Sequence, residues 1–229
     1  ARREWWHLTQ NLKEPELRQA AVLAKHWGWL DRAILTLGKS SYRDDLSIRF
    51  PVSHKNTVIK LSQRASISPA WAMAVIRRES AFAPDARSHV GARGLMQLMP
   101  ATARGVARVL KTRVKRGKQL DSPDFNIKLG TTYLRLELNK FDGHTVLATA
   151  AYNAGPSRVK RWIKESDKQP ADIWIETIPF KETRNYTRNV MAYMTIYERK
   201  LGLKPQKISD RLRPISTNNS VENSSVVKF

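Results

Sequence analysis

The stretch Pro69-Ala70-Trp71-Ala72-Met73-Ala74-Val75-Ile76-Arg77-Arg78-Glu79-Ser80 decides the reading of this chain. Ser68 and Pro69 mark a helix start, with Ser at the N-cap and Pro at the first helical position, where its missing N–H has no helical partner to lose. Along that helix Ala72, Val75, Ile76 and Glu79 fall at i, i+3, i+4 and i+7, so an acid shares a stripe with apolar residues. Arg77 and Arg78 fall off that stripe and are expected to point elsewhere. A carboxyl on an apolar stripe loses hydration, its neutral form is favoured and its pKa rises. Such a group can donate a proton near neutral pH. A lone glutamate at a helix end is more often a surface residue than a catalytic one, so the rest of the chain has to decide between the two.

Outward from this helix the pattern stays helical. Residues 2–39 read as two or three short amphipathic helices rich in Trp and Leu, punctuated by Gly28 and Gly38. Their rhythm resembles the end of an α-solenoid. Residues 40–51 form a connector, and a helix follows near 54–65. Ser122-Pro123 repeats the start signal before a helix over 125–141. Asp142-Gly143 turns the chain into a helix over 144–154. Gly155-Pro156 ends it and starts the next, to about residue 164. A last long helix runs from Lys181 to Leu201. Residues 111–121 read as a basic, solvated loop, with a short ribbon as the one candidate for strand around 111–120. Residues 204–229 read as a polar tail. The fold class is mainly α. The expected organisation is a helical linker segment over 1–66, a catalytic domain over 67–201 and a flexible tail over 202–229.

Composition narrows the chemistry. The 229 residues are 41% hydrophobic, enough for a packed core. The lack of a long apolar run argues against a transmembrane helix, and no secretory signal is visible. The start at Ala1 rather than Met points to a processed protein or an excised fragment. With no cysteine, disulfides, thiolate catalysis and Cys-based zinc sites are excluded. His7, His26, His54, His89 and His144 are dispersed, so no metal site is expected. The net charge of +21 attracts polyanions: nucleic acid, anionic membrane surfaces or cell-wall polymers bearing carboxylates.

Four segments in order carry the decision: Glu79-Ser80, then Gly94-Leu95-Met96-Gln97, then Ala151-Tyr152-Asn153-Ala154-Gly155, then Ile178-Pro179-Phe180 with Glu182-Thr183-Arg184 and Tyr186. Each alone is weak, because turns, core methionines and capping Asn residues are common. Together they resemble the signature of the soluble lytic transglycosylases, in the goose-type lysozyme superfamily, over roughly residues 67–201. The preceding helices resemble the linker region of that family.

The resemblance implies cleavage of the β-1,4 bond between N-acetylmuramic acid and N-acetylglucosamine in peptidoglycan, leaving a 1,6-anhydromuramic end and consuming no water. It implies a lysozyme-like fold, Glu79 as the catalytic acid and then base, and Ser88 and Gln97 as residues that hold the sugar. Tyr152 would lie near the acetamido group, Met99 would supply apolar contact, Asn153 would support the site, and Glu182 and Tyr186 would line the glycan groove. Ser80 would cap or orient the acid. Arg184 and Arg188 are candidates for the stem-peptide carboxylates. No cofactor is implied. The implied partners are peptidoglycan strands and cell-wall machinery, and the implied location is the periplasm or the wall-facing side of a bacterium. The chain departs from the family pattern at Phe82-Ala83-Pro84, at Arg93 and at Thr187-Arg188-Asn189, which touches substrate contacts rather than the acid.

Three other readings stay open at this level. A lysozyme-type hydrolase needs a second acid or base, for which Asp85 or Glu182 can be nominated. A basic helical nucleic-acid-binding module fits the charge, but no helix-turn-helix recognition pattern, zinc-finger pattern or RNA-binding aromatic motif is present. An inactive wall-binding module is opposed by the intact Glu79.

Overall fold

The computed structural model describes residues 1–42, 44–164 and 168–215. The described residues form helices α1 (Arg2–Leu8), α2 (Glu14–His26), α3 (Leu30–Leu37), α4 (Leu46–Arg49), α5 (Lys55–Arg64), α6 (Pro69–Glu79) and α7 (Pro100–Val109). They continue with a 3-10 turn at Gly117–Asp121 and with α8 (Pro123–Asn139), α9 (Thr145–Ala154), α10 (Pro156–Lys164), α11 (Ala171–Thr177), α12 (Lys181–Leu201) and α13 (Ile208–Arg211). Extended pairing among the described residues is limited to isolated bridges, Arg87 with Arg93, Arg93 with Leu98, and Gln169 with Ile215.

Helix α6 is the axis of the main core. Every residue from Ala70 to Ile76 is buried, all round the helix rather than on one face. A helix wrapped on every side is held by its neighbours, here chiefly α12, with α5 and α8 beside it. The small residues Ala70, Ala72 and Ala74 let these neighbours approach. Trp71 is buried and its indole N–H donates to the Thr149 hydroxyl on α9 at 3.0 Å, which satisfies the one polar atom of a large core side chain. Helix α12 buries Tyr186, Val190, Met194, Tyr197 and Leu201, spaced three or four residues apart.

The first four helices carry a second cluster. Trp5 lies edge-on to Trp27 and Trp29 at ring distances of 6.0 and 5.9 Å, the favoured quadrupole geometry. Its indole N–H donates to Thr36 at 2.9 Å. Ile34 of α3 and Phe50 after α4 belong instead to the main core. The Arg2 guanidinium adds a two-pronged bridge to Asp85, at 2.9 and 2.6 Å, across 83 residues of sequence.

Ser68 and Ser122 stand at the N-caps of α6 and α8 with Pro at the first position, but neither side chain makes a capping bond. The proline therefore carries the start signal. Besides the single-turn helices α4 and α13, two helices were absent from the sequence reading. Helix α7 opens with the same device at Met99-Pro100, and α11 is a seven-residue helix too short for periodicity to reveal. The ribbon considered at 111–120 is not formed. That segment runs into the 3-10 turn, where Leu120 is buried. Part of the stretch read as a tail is packed. Helix α13 packs back on α12 through a buried Arg211–Glu198 ion pair at 2.6 Å, and Gln169 and Ile215 exchange two backbone bonds. Asn218-Asn219-Ser220 and Ser224-Ser225 lie outside the described residues.

Candidate active site

Glu79 ends α6 on the wall of a cleft of about 730 Å³. Its neighbours there include Arg77, Arg78, Ser80, Asp85, Arg87, Gln97 and Asn189, with Arg2 and Asp31 from the first helices. The side chain is half-buried and packed by protein where it does not meet the cleft. Burial pushes its carboxyl from 4.5 up to about 7. The Tyr186 hydroxyl and the Arg78 guanidinium pull it down, and the Glu182 charge adds to the rise. Desolvation prevails, so the carboxyl is substantially protonated near neutral pH. Tyr186 Oη sits inside the hydrogen-bonding range that stabilises the Glu79 carboxylate, yet it makes no bond of full distance and angle. Burial and the Glu79 charge hold the Tyr186 phenol well above its ordinary range, so it stays neutral.

Both arginines beside the acid differ from expectation. Their positions on the helix are off the apolar stripe, but their long stems bring both to the cleft wall. Arg78 also stacks over the Tyr186 ring at 5.5 Å. The Arg77 Nε donates to the Arg49 carbonyl.

The backbone leaves α6 through a sharp turn. Ala81 and Phe82 both have positive φ, at 49° and 70°, a conformation costly for residues with a Cβ. Phe82 is anchored by burial against Tyr197. Ser80 serves this turn: its hydroxyl donates to the Ile76 carbonyl and accepts from the Phe82 N–H, each at 3.2 Å, and no bond to the Glu79 carboxyl is made.

The Gly94–Gln97 loop brings the amide to the same cleft. Gly94 has φ +79°, and a Cβ there would collide with the Leu120 carbonyl and the Asn126 amide, so only glycine fits. Asn126 is fully buried on α8 and holds the loop by three bonds: it accepts from the Met96 N–H at 2.8 Å and donates to the carbonyls of Arg93 and Leu120 at 3.0 and 2.9 Å. Gly130, one turn further, leaves room for the Met96 sulfur. Neither residue was singled out from sequence. The only signal was a polar Asn four residues after Ser122 on a face that the following Leu and Ile residues make apolar.

The other expected residues fall into three groups. Gln97 lines the cleft, with its amide N donating to the Ala86 and Gly94 carbonyls at 3.0 and 2.9 Å. Tyr152 is buried on α9 beside Tyr133, ring centres 5.0 Å apart, and its hydroxyl donates to the Met96 carbonyl at 2.8 Å. It lies close enough to Glu79 for the two to interact electrostatically. Asn153, at the end of α9, accepts from the Thr183 hydroxyl at 2.7 Å and reaches the exposed Glu182 at 3.5 Å, so the ends of α9 and α12 meet on this side of the acid. Ser88 is half-buried and its hydroxyl accepts from the Ala92 N–H at 2.9 Å, bracing the turn before Gly94. Met99 is 40% exposed at the start of α7. Arg184 is not aimed at the cleft: its guanidinium donates to the Glu176 carbonyl at 3.2 Å. Asp85 lines the cleft but is bound by Arg2, which holds it below the usual carboxylate range. Glu182 and Asp85 are therefore unlike Glu79: one is exposed, the other is paired.

Among the described residues no group of three or more His, Asp or Glu side chains is placed to hold a metal, and no helix is long and apolar enough to cross a membrane.

A sequence model described as the transglycosylase SLT domain matches residues 56–175. The soluble lytic murein transglycosylase L domain matches 1–46, and the soluble lytic transglycosylase helical domain matches 177–206. The soluble lytic murein transglycosylase of Salmonella typhimurium is 38% identical over 212 residues, 92% of this chain and 33% of its own. Among solved structures, an inactive mutant of the lytic transglycosylase Slt from Pseudomonas aeruginosa superposes with a TM-score of 0.90 at 44% identity, over 94% of this chain and 35% of that one. The 70 kDa soluble lytic transglycosylase of Escherichia coli gives 0.81 at 34% identity, over 95% and 34%. The chain thus spans about a third of the length of the relatives it matches. The mainly α, lysozyme-like architecture read from the sequence is the one observed. With the SLT domain matched over more than half of its residues, the chain belongs to the transglycosylase SLT domain family.

Proposed function

We propose that this chain is the catalytic part of a lytic transglycosylase that cleaves the β-1,4 bond between N-acetylmuramic acid and N-acetylglucosamine in peptidoglycan without consuming water. The observation that carries this reading is a single desolvated carboxylic acid, Glu79, at about 7, facing a cleft in a chain of this family. In the first step the Glu79 carboxyl gives its proton to the glycosidic oxygen as the bond to the anomeric carbon breaks. The N-acetyl oxygen of the muramic acid supports the positive charge at that carbon. In the second step the carboxylate takes the proton of the muramic acid 6-hydroxyl as its oxygen bonds to the anomeric carbon. One residue serves both steps because the first leaves it as the base that the second requires. The products are an N-acetylglucosamine end and a 1,6-anhydromuramic end.

The hydrolytic alternative needs a second carboxylate to activate water. Asp85 is engaged by Arg2, which makes it a weaker base toward water, and Glu182 is exposed in the first turn of α12, which favours the non-hydrolytic course. In this reading Gln97 and Ser88 hold the sugar, Met99 supplies apolar contact, and Tyr152, with Asn153 behind it, borders the acetamido pocket. Glu182 and Tyr186 complete the groove. Residues 1–66 form a helical segment that walls one end of the cleft, and residues 67–201 the catalytic domain. The substrate places the protein on the periplasmic or wall-facing side of a bacterium.

The test is mass spectrometry of the products released from purified peptidoglycan. Muropeptides with anhydro ends, lighter by one water than those with reducing ends, are expected. Reducing ends alone overturn the proposal in favour of hydrolysis.

A further inference from the structure

From Ala86 to Leu120 the chain carries nine Lys and Arg residues and no Asp or Glu. Two of them, Arg87 and Arg93, are engaged by Asp121. The other seven, from Arg104 to Lys118, are exposed, and none forms an ion pair with an acid among the described residues. All seven follow the cleft-lining Gln97 in sequence: Met99 caps α7, which runs for ten residues, about 15 Å. Ala103, Val106 and Ala107 turn to the core, and Arg104 and Arg108, at i and i+4, share the outer face. Lys111, Arg113, Lys115, Arg116 and Lys118 follow, all exposed, in the loop after α7 and the 3-10 turn.

We infer that α7 and the loop after it form a second, electrostatic docking surface, outside the cleft, for the stem-peptide carboxylates of the peptidoglycan meshwork. This rests on the proposed substrate. Seven exposed cations within fifteen residues, none ion-paired among the described residues, fit a polymer that repeats carboxylates at intervals. Two other polyanions fit less well. Residues 100–120, α7 and the segment after it, contain no Phe, Tyr, Trp or His, so they offer no ring on which a nucleic-acid base can stack. The apolar side of α7 is committed to the core, which leaves Val109 as the one large apolar side chain of that helix exposed, too little for insertion at a bilayer surface. The surface would hold the enzyme on an insoluble meshwork while the cleft engages one strand.

The test uses the full chain with Arg108→Glu, Lys115→Glu and Arg116→Glu together, none of which touches the cleft. Binding to isolated peptidoglycan sacculi is measured by sedimentation in a Glu79→Gln background, so that the sacculi stay intact. At about 0.1 M salt the triple change is expected to weaken binding roughly tenfold or more, and at about 1 M salt the two proteins should bind alike. Turnover of a short soluble glycan fragment, read with Glu79 present, should stay within about twofold, since only the cleft engages a fragment. Conversion of the sacculus carboxylates to neutral amides should bring the parent down to the level of the triple variant. The inference is overturned if sacculus binding is unchanged, if the parent binds amidated sacculi as well as native ones, or if fragment turnover falls in step with binding. Loss of binding to vesicles rich in phosphatidylglycerol, with sacculus binding retained, also overturns it and assigns the surface to a membrane. If the parent shows charge-sensitive sacculus binding but releases no product, the docking surface stands and the proposed cleavage fails.

Discussion

Replacing Glu79 with glutamine keeps the shape of the side chain and removes its titration, and the structure gives the size of the effect. In the unfolded chain this carboxyl releases its proton near 4.5, whereas in the fold it retains it to about 7. The folded state therefore binds more protons across that interval, and stability is lost as pH rises through it. The separation of 4.5 from about 7 corresponds to about 3 kcal/mol, the cost of keeping a charged carboxylate in a desolvated place. Glu79→Gln has no such loss. Relative to the parent, the variant should therefore gain about 3 kcal/mol between about pH 4.5 and pH 8, roughly 6–12 °C in Tm for a chain of this size. Urea or thermal unfolding followed by the fluorescence of the seven tryptophans, at intervals of pH, reads this directly. Peptidoglycan cleavage should fall by at least about 10²-fold, because the proton donor is gone. A stability difference that stays constant with pH would refute the reasoning, since the carboxyl would then be as well solvated in the fold as in the unfolded chain. Near-parental cleavage would show that another group supplies the proton.

Tyr186→Phe removes a hydroxyl that favours the charged form of Glu79, so the Glu79 pKa should rise and the alkaline limb of the pH–rate profile should move to higher pH. Asn126→Leu leaves the Met96 N–H and the Arg93 and Leu120 carbonyls without their partner; unfolding measurements should show a loss of about 2–4 kcal/mol, with reduced cleavage because Gln97 is no longer held. Arg211→Ala strands the buried Glu198 carboxylate and should cost about 3–5 kcal/mol, measurable by urea titration, with cleavage per folded molecule unchanged. Asp85→Asn separates the two glycan-cleaving mechanisms: anhydro products at near-parental rate are expected, and a large loss of rate would make Asp85 the water-activating base. Its exposed bridge to Arg2 contributes no more than about 1 kcal/mol, so stability should barely change.

Most of the helices and the acid itself are legible in the sequence because both are local. Ser-Pro starts, Gly-Pro and Asp-Gly breaks and 3.6-residue periodicity are short-range signals, and they placed α6, α9, α10 and α12 to within about a residue or two. Helix α11 escaped because seven residues hold too little periodicity. Helix α7 was passed over although Met99-Pro100 carried the same start signal as α6. The packed stretch 208–215 escaped because polar composition reads as tail, while its order depends on one buried ion pair with α12.

The sequence by itself determined that the protein is mainly α and that Glu79 shares an apolar stripe, and its resemblance to a family pointed to Gly94–Gln97, Tyr152–Asn153 and the start of the last helix as parts of one site. Only the tertiary structure decided what surrounds the acid. Tyr186 reaches Glu79 from α12, Arg2 arrives from 83 residues upstream to occupy Asp85, and Asn126 ties the glycine loop to α8. The physical reason is that a pKa depends on everything within a few ångströms, whatever its distance along the chain. Periodicity reports which face of a helix is apolar, but not which charges and hydroxyls the fold brings against it.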